Sequence, residues 1–289
     1  MKSFFALGAL AAGLLAGWAS GAAPASGDQL VDLKFKFLPG SRFSYAVRVV
    51  KTSEVQSATT VKIVDDNAVS STFVVQAKES GNTNLRFTYD RLAVKRDIGS
   101  QKQVYDSQDA ATYASPLAAS VAGMVGASLT VALTSGGEIL GIQGIETLNQ
   151  RMLASGVSPA ANQPVAPGQS ENTIKSSLNQ FFNFYPGHPL KPGESWIKNV
   201  VLNLDTDTMK LASTYTLSGV QNGVAHLLTT GKLTSSGTGT YTGTQNGTLD
   251  VDVATGLVLR SQLRRTMAGR TGKFPIRSVT DVTVAGKKL

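Results

Sequence analysis

Along most of this chain apolar side chains recur at every second residue, and that period commits it to β-strands. Leu257, Leu259, Leu263 and Met267 share one parity, while Arg260, Gln262, Arg264 and Thr266 share the other. Successive side chains of an extended backbone point to opposite faces, so this segment presents one apolar face and one basic face. Arg265 falls on the apolar parity and marks either a bulge or a position lining a cavity. Leu33, Phe35 and Phe37 alternate in the same way with Asp32, Lys34 and Lys36, which predicts a half-buried strand.

Turn chemistry divides these segments into two antiparallel meanders. In the first, Pro39-Gly40 leads into Phe43–Val49, Asp65-Asp66-Asn67 is read as a turn between strands at Thr59–Val64 and Val69–Ala77, and Ser80-Gly81-Asn82 precedes Asn84–Ile98. In the second, strands at 208–218, 223–234, 238–253, 257–267 and 276–284 are separated by short Gly-containing turns. Between them Ser115-Pro116 opens a short apolar helix, Leu129–Leu133 and Ile139–Ile142 form a hairpin around Gly136-Gly137, and helices are predicted at Gly144–Ser155 and Ser170–Phe184. A Pro-rich loop occupies 157–168. The expected class is mainly β (α+β): two curved antiparallel meander sheets or half-barrels with two or three short helices between them.

The stretch FYPGHPLKPGESW, Phe184–Trp196, joins the halves. Its prolines fix φ and its glycines permit φ > 0, so it suits a shaped connection better than a helix or strand interior. LPGSRFSY (Leu38–Tyr45) and KPGESWIK (Lys191–Lys198) both place Pro-Gly before a polar pair and an aromatic residue, and both open a meander, as an internal duplication would. The resulting division is 1–25 signal peptide, 26–143 N-terminal meander with apolar helix and hairpin, 144–195 helical connector and hinge, and 196–289 C-terminal meander.

The first 25 residues have the pattern of an export signal: Lys2, the apolar run Phe4–Trp18, then small residues with cleavage expected after Ala22 or Ala25. The apolar run is short for a bilayer crossing of roughly 20 residues. A periplasmic or secreted protein is expected, and with no cysteine anywhere it is not a Cys-anchored lipoprotein. Removing Lys2 leaves 26 Lys and Arg against 19 Asp and Glu. That basic balance suits a solubilising surface, or contact with an anionic envelope surface. Arg260, Arg264, Arg265, Arg270, Lys273 and Arg277 carry much of it, without the basic-aromatic pattern of a nucleic-acid binder.

Several elements together, the apolar helix ending MVG, the hairpin LTVALTSGGEILGIQGIETL, the phrase FFNFYPGHPLKPGESW and the late DVATGLVL, resemble a family of exported bacterial proteins without an assigned activity. Tyr185-Pro186 stands where that family usually has Phe-Pro. The resemblance implies a β-rich fold and carries no catalytic residues with it. At fold level the pattern is also similar to periplasmic lipid- or lipoprotein-carrier half-barrels.

No residue pattern assembles an enzyme. The two histidines, His188 in the hinge and His226 in a strand, lack cysteine partners and a Gly-x-Ser-x-Gly elbow. Ser195 and Lys198 have Ser-x-x-Lys spacing, but a strand places them on opposite faces. Asp250 with Asp252, and Asp205 with Asp207, could each share a strand face, yet two carboxylates alone hold calcium poorly. Gly231-Lys232, Gly272-Lys273 and Gly286-Lys287 lack the spacing of a phosphate loop. No catalytic, cofactor or metal residue is therefore assigned. The expectation is a monomeric, non-enzymatic envelope protein that binds a lipid or other hydrophobic small molecule in a cavity of hundreds of Å³, partly filled by residues 116–127. The alternative is a structural or protein-interaction module using strand edges or the basic face, with no nucleic-acid partner.

Overall fold

The structure is a computed structural model of the chain and describes residues 30–57, 59–79, 82–155, 170–204, 207–237, 240–271 and 274–289. The signal-peptide reading, the loop at 157–168, the turn at Ser80-Gly81 and the residues Asp205, Gly272 and Lys273 lie outside the described residues.

Among the described residues twelve antiparallel strands form one sheet, so the chain is mainly β with few helices. The first meander supplies β1 (Arg42–Gln56), β2 (Thr60–Glu79), β3 (Asn82–Ile98) and β4 (Gln101–Asp106). After α1 (Ala118–Val121) come β5 (Ser128–Leu133), β6 (Ile139–Gln143), α2 (Ile145–Ser155) and α3 (Glu171–Phe182). The second meander is β7 (Ser195–Leu204), β8 (Asp207–Gln221), β9 (Val224–Gly237), β10 (Thr240–Asp252), β11 (Val258–Thr271) and β12 (Phe274–Lys288). The two expected meanders join edge to edge: β1 pairs with β12 from Phe43↔Lys288 to Val55↔Ile276, giving the order β6-β5-β3-β2-β1-β12-β11-β10-β9-β8-β7.

Among the described residues the sheet does not close through hydrogen bonds between its ends. Instead α3, a helix of 12 residues and so about 18 Å long, packs against both edge strands, β6 and β7. Both edges can meet one helix of that length only if the sheet curls strongly around it. Ser170 fixes the start of α3 by accepting from the Thr173 N–H at 3.1 Å.

Two strand expectations change. Asp65-Asp66-Asn67 is not a turn; β2 runs through it without interruption. The two carboxylates point to opposite faces and each finds an arginine on a neighbouring strand, Asp65 with Arg96 of β3 and Asp66 with Arg48 of β1. Those cross-strand pairs remove the reason for an Asp-Asp-Asn sequence to turn. Leu33–Phe37 does alternate as expected, with Leu33, Phe35 and Phe37 buried. It is nevertheless no sheet strand but an extended strap across one end of the curl. The Phe35 N–H donates to Ser135 O in the β5–β6 turn at 3.0 Å, and the Lys36 N–H donates to Thr255 O in the β10–β11 turn at 2.9 Å. Its Phe35 and Phe37 rings pack with Phe43 of β1, and Phe35 also meets Phe182 edge-on. Burying these rings is favourable at one end of an open sheet, where water would otherwise reach the core.

The duplicated Pro-Gly signals have duplicated bonding. The Gly40 N–H donates to Val75 O at 2.8 Å and the Val75 N–H to Ser41 O at 2.9 Å; the Gly193 N–H donates to Leu217 O at 2.7 Å and the Leu217 N–H to Glu194 O at 3.0 Å. The aromatics that follow, Phe43 and Trp196, are both buried. Each half therefore opens with the same turn and the same anchored ring.

Candidate functional site

Alternation sets what the concave face contains. On β1 the inward residues are Phe43, Tyr45, Val47 and Val49, and their partners on β2 are Phe73, Ser71, Val69 and Asn67. Phe87 and Tyr89 of β3 continue the aromatic surface, with Phe73 stacked on both Phe43 and Phe87. These rings form the wall that α3 faces.

Between that wall and α3 lies a cavity of about 90 Å³ that opens toward solvent. Tyr45, Val47, Phe73 and Phe87 line the sheet side, Leu178 and Phe181 the helix side, and Met124 also contributes to the lining. Thr173 and Ser177 of α3 and Ser71 of β2 add hydroxyls to an otherwise apolar lining. Met124 belongs to the 116–127 segment expected to occupy the interior, but α3 contributes more of the wall. The cavity is smaller than the expected hundreds of Å³ because Phe182 and Ile174 of α3 are themselves packed into the concavity. Burial pushes the Tyr45 and Tyr89 hydroxyls well above the ordinary phenol range, as an apolar environment does to a group that ionises to an anion.

The hinge orders the second half. Trp196 Nε1–H donates to Phe184 O at 2.6 Å, and the Tyr185 hydroxyl donates to Gly256 O at 2.8 Å. Leu190 exchanges both backbone hydrogen bonds with Val31, so hinge and strap are tied together.

The residues singled out by chemistry are scattered. His188 is exposed in the hinge, its Nδ1 3.0 Å from the Pro189 carbonyl oxygen. His226 lies on the outer face of β9, with Nδ1 2.8 Å from Asp250 Oδ1 across the strand pair. Asp252 instead accepts from the Thr255 N–H at 3.1 Å and from the Thr255 hydroxyl, stabilising the β10–β11 turn, so the two aspartates have separate structural tasks. Ser195 pairs with the Thr216 hydroxyl while Lys198 faces inward, on the opposite side of β7 as expected. Gly231-Lys232 lies inside β9 and Gly286-Lys287 inside β12, away from any helix start. Among the described residues, no group of three His, Cys, Asp or Glu side chains could hold a metal ion.

Arg264 on the outer face pairs with Asp281, and Arg48 and Arg91 pair with Asp66 and Asp106. Part of the convex surface is thus charge-compensated. Arg265 resolves the other way: no register shift occurs beside it, and its side chain turns into the concavity, where it donates to Gln245 Oε1 at 2.7 Å. The bulge reading of its misplaced parity fails, and the side chain lies on the concave face apart from the residues that line the cavity under α3. No helix among the described residues is long and apolar enough to cross a membrane, which says nothing of crossing by strands.

A family model described as a family of unknown function (DUF6263) matches residues 80–258. No curated protein matches the chain. Among solved structures the chain is similar to lipovitellin, solved for its lipid–protein interactions, with a TM-score of 0.53 and 10% identity over 87% of this chain. It spans 25% of the lipovitellin chain, so the likeness concerns the fold of one portion of that protein. An outer-membrane channel from Pseudomonas putida F1 matches with a TM-score of 0.28 and 9% identity over 88% of this chain and 97% of that one. The translocator domain of the autotransporter NalP from Neisseria meningitidis matches with a TM-score of 0.23 and 8% identity over 86% and 89%. Both scores are too low to indicate a shared fold.

Proposed function

The chain belongs to DUF6263, a family of unknown function, and from that premise we propose that it is an exported, non-enzymatic binding protein for a lipid or other apolar ligand. The observation that carries this reading is the solvent-open cavity between α3 and the aromatic wall of β1, β2 and β3. An apolar concavity that reaches solvent loses hydrophobic stabilisation unless something covers it. The fold shared with part of lipovitellin, a protein solved for its interactions with lipid, supports the same reading.

The cavity of about 90 Å³ is below the roughly 300–1,000 Å³ of a pocket that encloses a drug-sized molecule. A whole ligand is therefore accommodated by moving α3, whose buried Ile174, Leu178 and Phe182 occupy the concavity. In this account α3 stands in for the ligand, and the ligand replaces its apolar contacts one for one.

The test is titration of delipidated protein with the neutral fluorescent probe N-phenyl-1-naphthylamine. Saturable binding, reversed by a monoacylglycerol, is the expected result. Absence of saturable binding to probe and monoacylglycerol alike contradicts the reading.

A further inference from the structure

One row of the concave face departs from its apolar character. Strand register places Arg96 opposite Asp65, Asp65 opposite Lys51, Lys51 opposite Thr280, and Thr280 opposite Arg265. The row continues through Gln245, Gly231 and Ser213 to Lys198 at the β7 edge. Four cations and one carboxylate thus lie at a single level, inside the curl. The flanking rows are apolar or small: Val49, Val282 and Leu263 on the side of α3, and Ser53, Ser278 and Met267 on the other.

Fold stability does not call for this belt. A cation on a sheet is hydrated and paired at least cost on the convex face, where Arg48 and Arg264 have aspartates. Inside, Asp65 is already held by Arg96, and Lys51 makes no ion pair of its own among the described residues. Burial holds Lys51, Lys198 and Arg265 below their ordinary pKa ranges, the sign of cations short of water. Gln245 receives the Arg265 guanidinium through its Oε1, which fixes the fork in the plane of the belt row.

We infer that the belt binds the acidic headgroup of an anionic amphiphile, gripped by Lys51, Thr280 and Arg265, with its alkyl chain running toward the cavity under α3. Lys51 and Arg265 are two strands apart, about 10 Å between backbones, so both long side chains can converge on one headgroup with the Thr280 hydroxyl between them. Val47 at the cavity and Lys51 at the belt are four residues apart on β1, about 13 Å along the strand. A single amphiphile spans that interval. This inference rests on the apolar-ligand reading and adds the charge class of the ligand to it.

Three probes test it in calorimetric titrations of the delipidated protein: lysophosphatidate, a monoacylglycerol with the same acyl chain, and inorganic phosphate. Lysophosphatidate is expected to bind at least about tenfold tighter than the monoacylglycerol, the scale of one charge-assisted contact. Lys51→Met and Arg265→Gln should each lower lysophosphatidate affinity toward the neutral level and leave monoacylglycerol affinity unchanged, while Arg265→Lys retains part of the preference. Thermal melts establish that each variant is folded, and Lys51→Met alone decides if Arg265→Gln is not. Equal affinity for the two amphiphiles overturns the belt assignment and leaves the apolar-ligand reading standing. Binding of neither overturns both. Inorganic phosphate binding as tightly as lysophosphatidate makes the belt a free-anion site and overturns the amphiphile.

Discussion

The carbonyl oxygen of Phe182, at the end of α3, occupies the space where a side chain at Gly137 would begin: a Cβ there would sit 1.7 Å from it. Gly137 also has φ +78°, in the left-handed region that an L side chain adopts at a cost. The β5–β6 turn and α3 thus fit only because this residue is glycine. Gly137→Ala is expected to destabilise the fold by about 2 kcal/mol or more through strain and displacement of α3. Denaturant unfolding measures it, and Gly136→Ala, whose Cβ would meet only the Thr134 hydroxyl at 3.6 Å, should cost much less.

Trp196 is the anchor of the second half and His188 is not. Removing the buried indole and its bond to Phe184 O should cost about 3–5 kcal/mol in Trp196→Ala. Trp196→Phe keeps most of the packing and should cost about 1–3 kcal/mol for the carbonyl left without its donor. His188→Ala should stay within about 0.5 kcal/mol of the parent, as an exposed substitution does. Unfolding midpoints of the three variants rank them; a large loss from the histidine change alone would contradict this assignment.

Stability should change with pH on both sides of the lysine and tyrosine range. Burial lowers the pKa of Lys51 in the folded state, so between that value and the unfolded one the unfolded chain binds more protons and stability rises with pH. Burial raises Tyr45, Tyr89 and Tyr185 above the ordinary phenol value of about 10, so above that pH the unfolded chain loses protons that the folded one keeps and stability falls. Lys51→Met should flatten the rise and Tyr45→Phe should soften the fall, both read from denaturant unfolding at a series of alkaline pH values.

Filling the cavity should block it without unfolding the protein. Ser177 faces the cavity from α3, and its hydroxyl donates back to the Thr173 carbonyl at 3.0 Å. Ser177→Leu puts an apolar side chain into that space and improves helix propensity. Affinity for the neutral naphthylamine probe should fall at least about tenfold, with a melting temperature no lower than the parent's.

Much of the fold was legible because turn chemistry and period agreed. Gln221-Asn222-Gly223 announced the β8–β9 hairpin and Asn222 and Gly223 indeed have positive φ, while Gly136-Gly137 marked the β5–β6 turn. The paired Pro-Gly signals at Gly40 and Gly193 told of equivalent openings, and the shared bonding bears that out. The sequence misled where tertiary partners decide. Asp65-Asp66 looked like a turn until Arg96 and Arg48 stood across from it, and Leu33–Phe37 carries a strand pattern because a strap buried on one side needs the same alternation. Arg265 gave a usable signal of the interior, a charge on an apolar parity. Lys51 did not, because Val49, Lys51 and Ser53 give no clear face until β1 is paired with β12 and the whole row is seen.

The most direct test of the central claim is native mass spectrometry of the full-length protein purified gently from a host that exports it, compared with its mass after denaturation. The account predicts a bound species that is lost on denaturation, recovered by organic extraction as an acyl-chain compound, and depleted in Ser177→Leu. A single native mass equal to the polypeptide alone, with no extractable lipid and no binding when monoacylglycerol is added back, would contradict it.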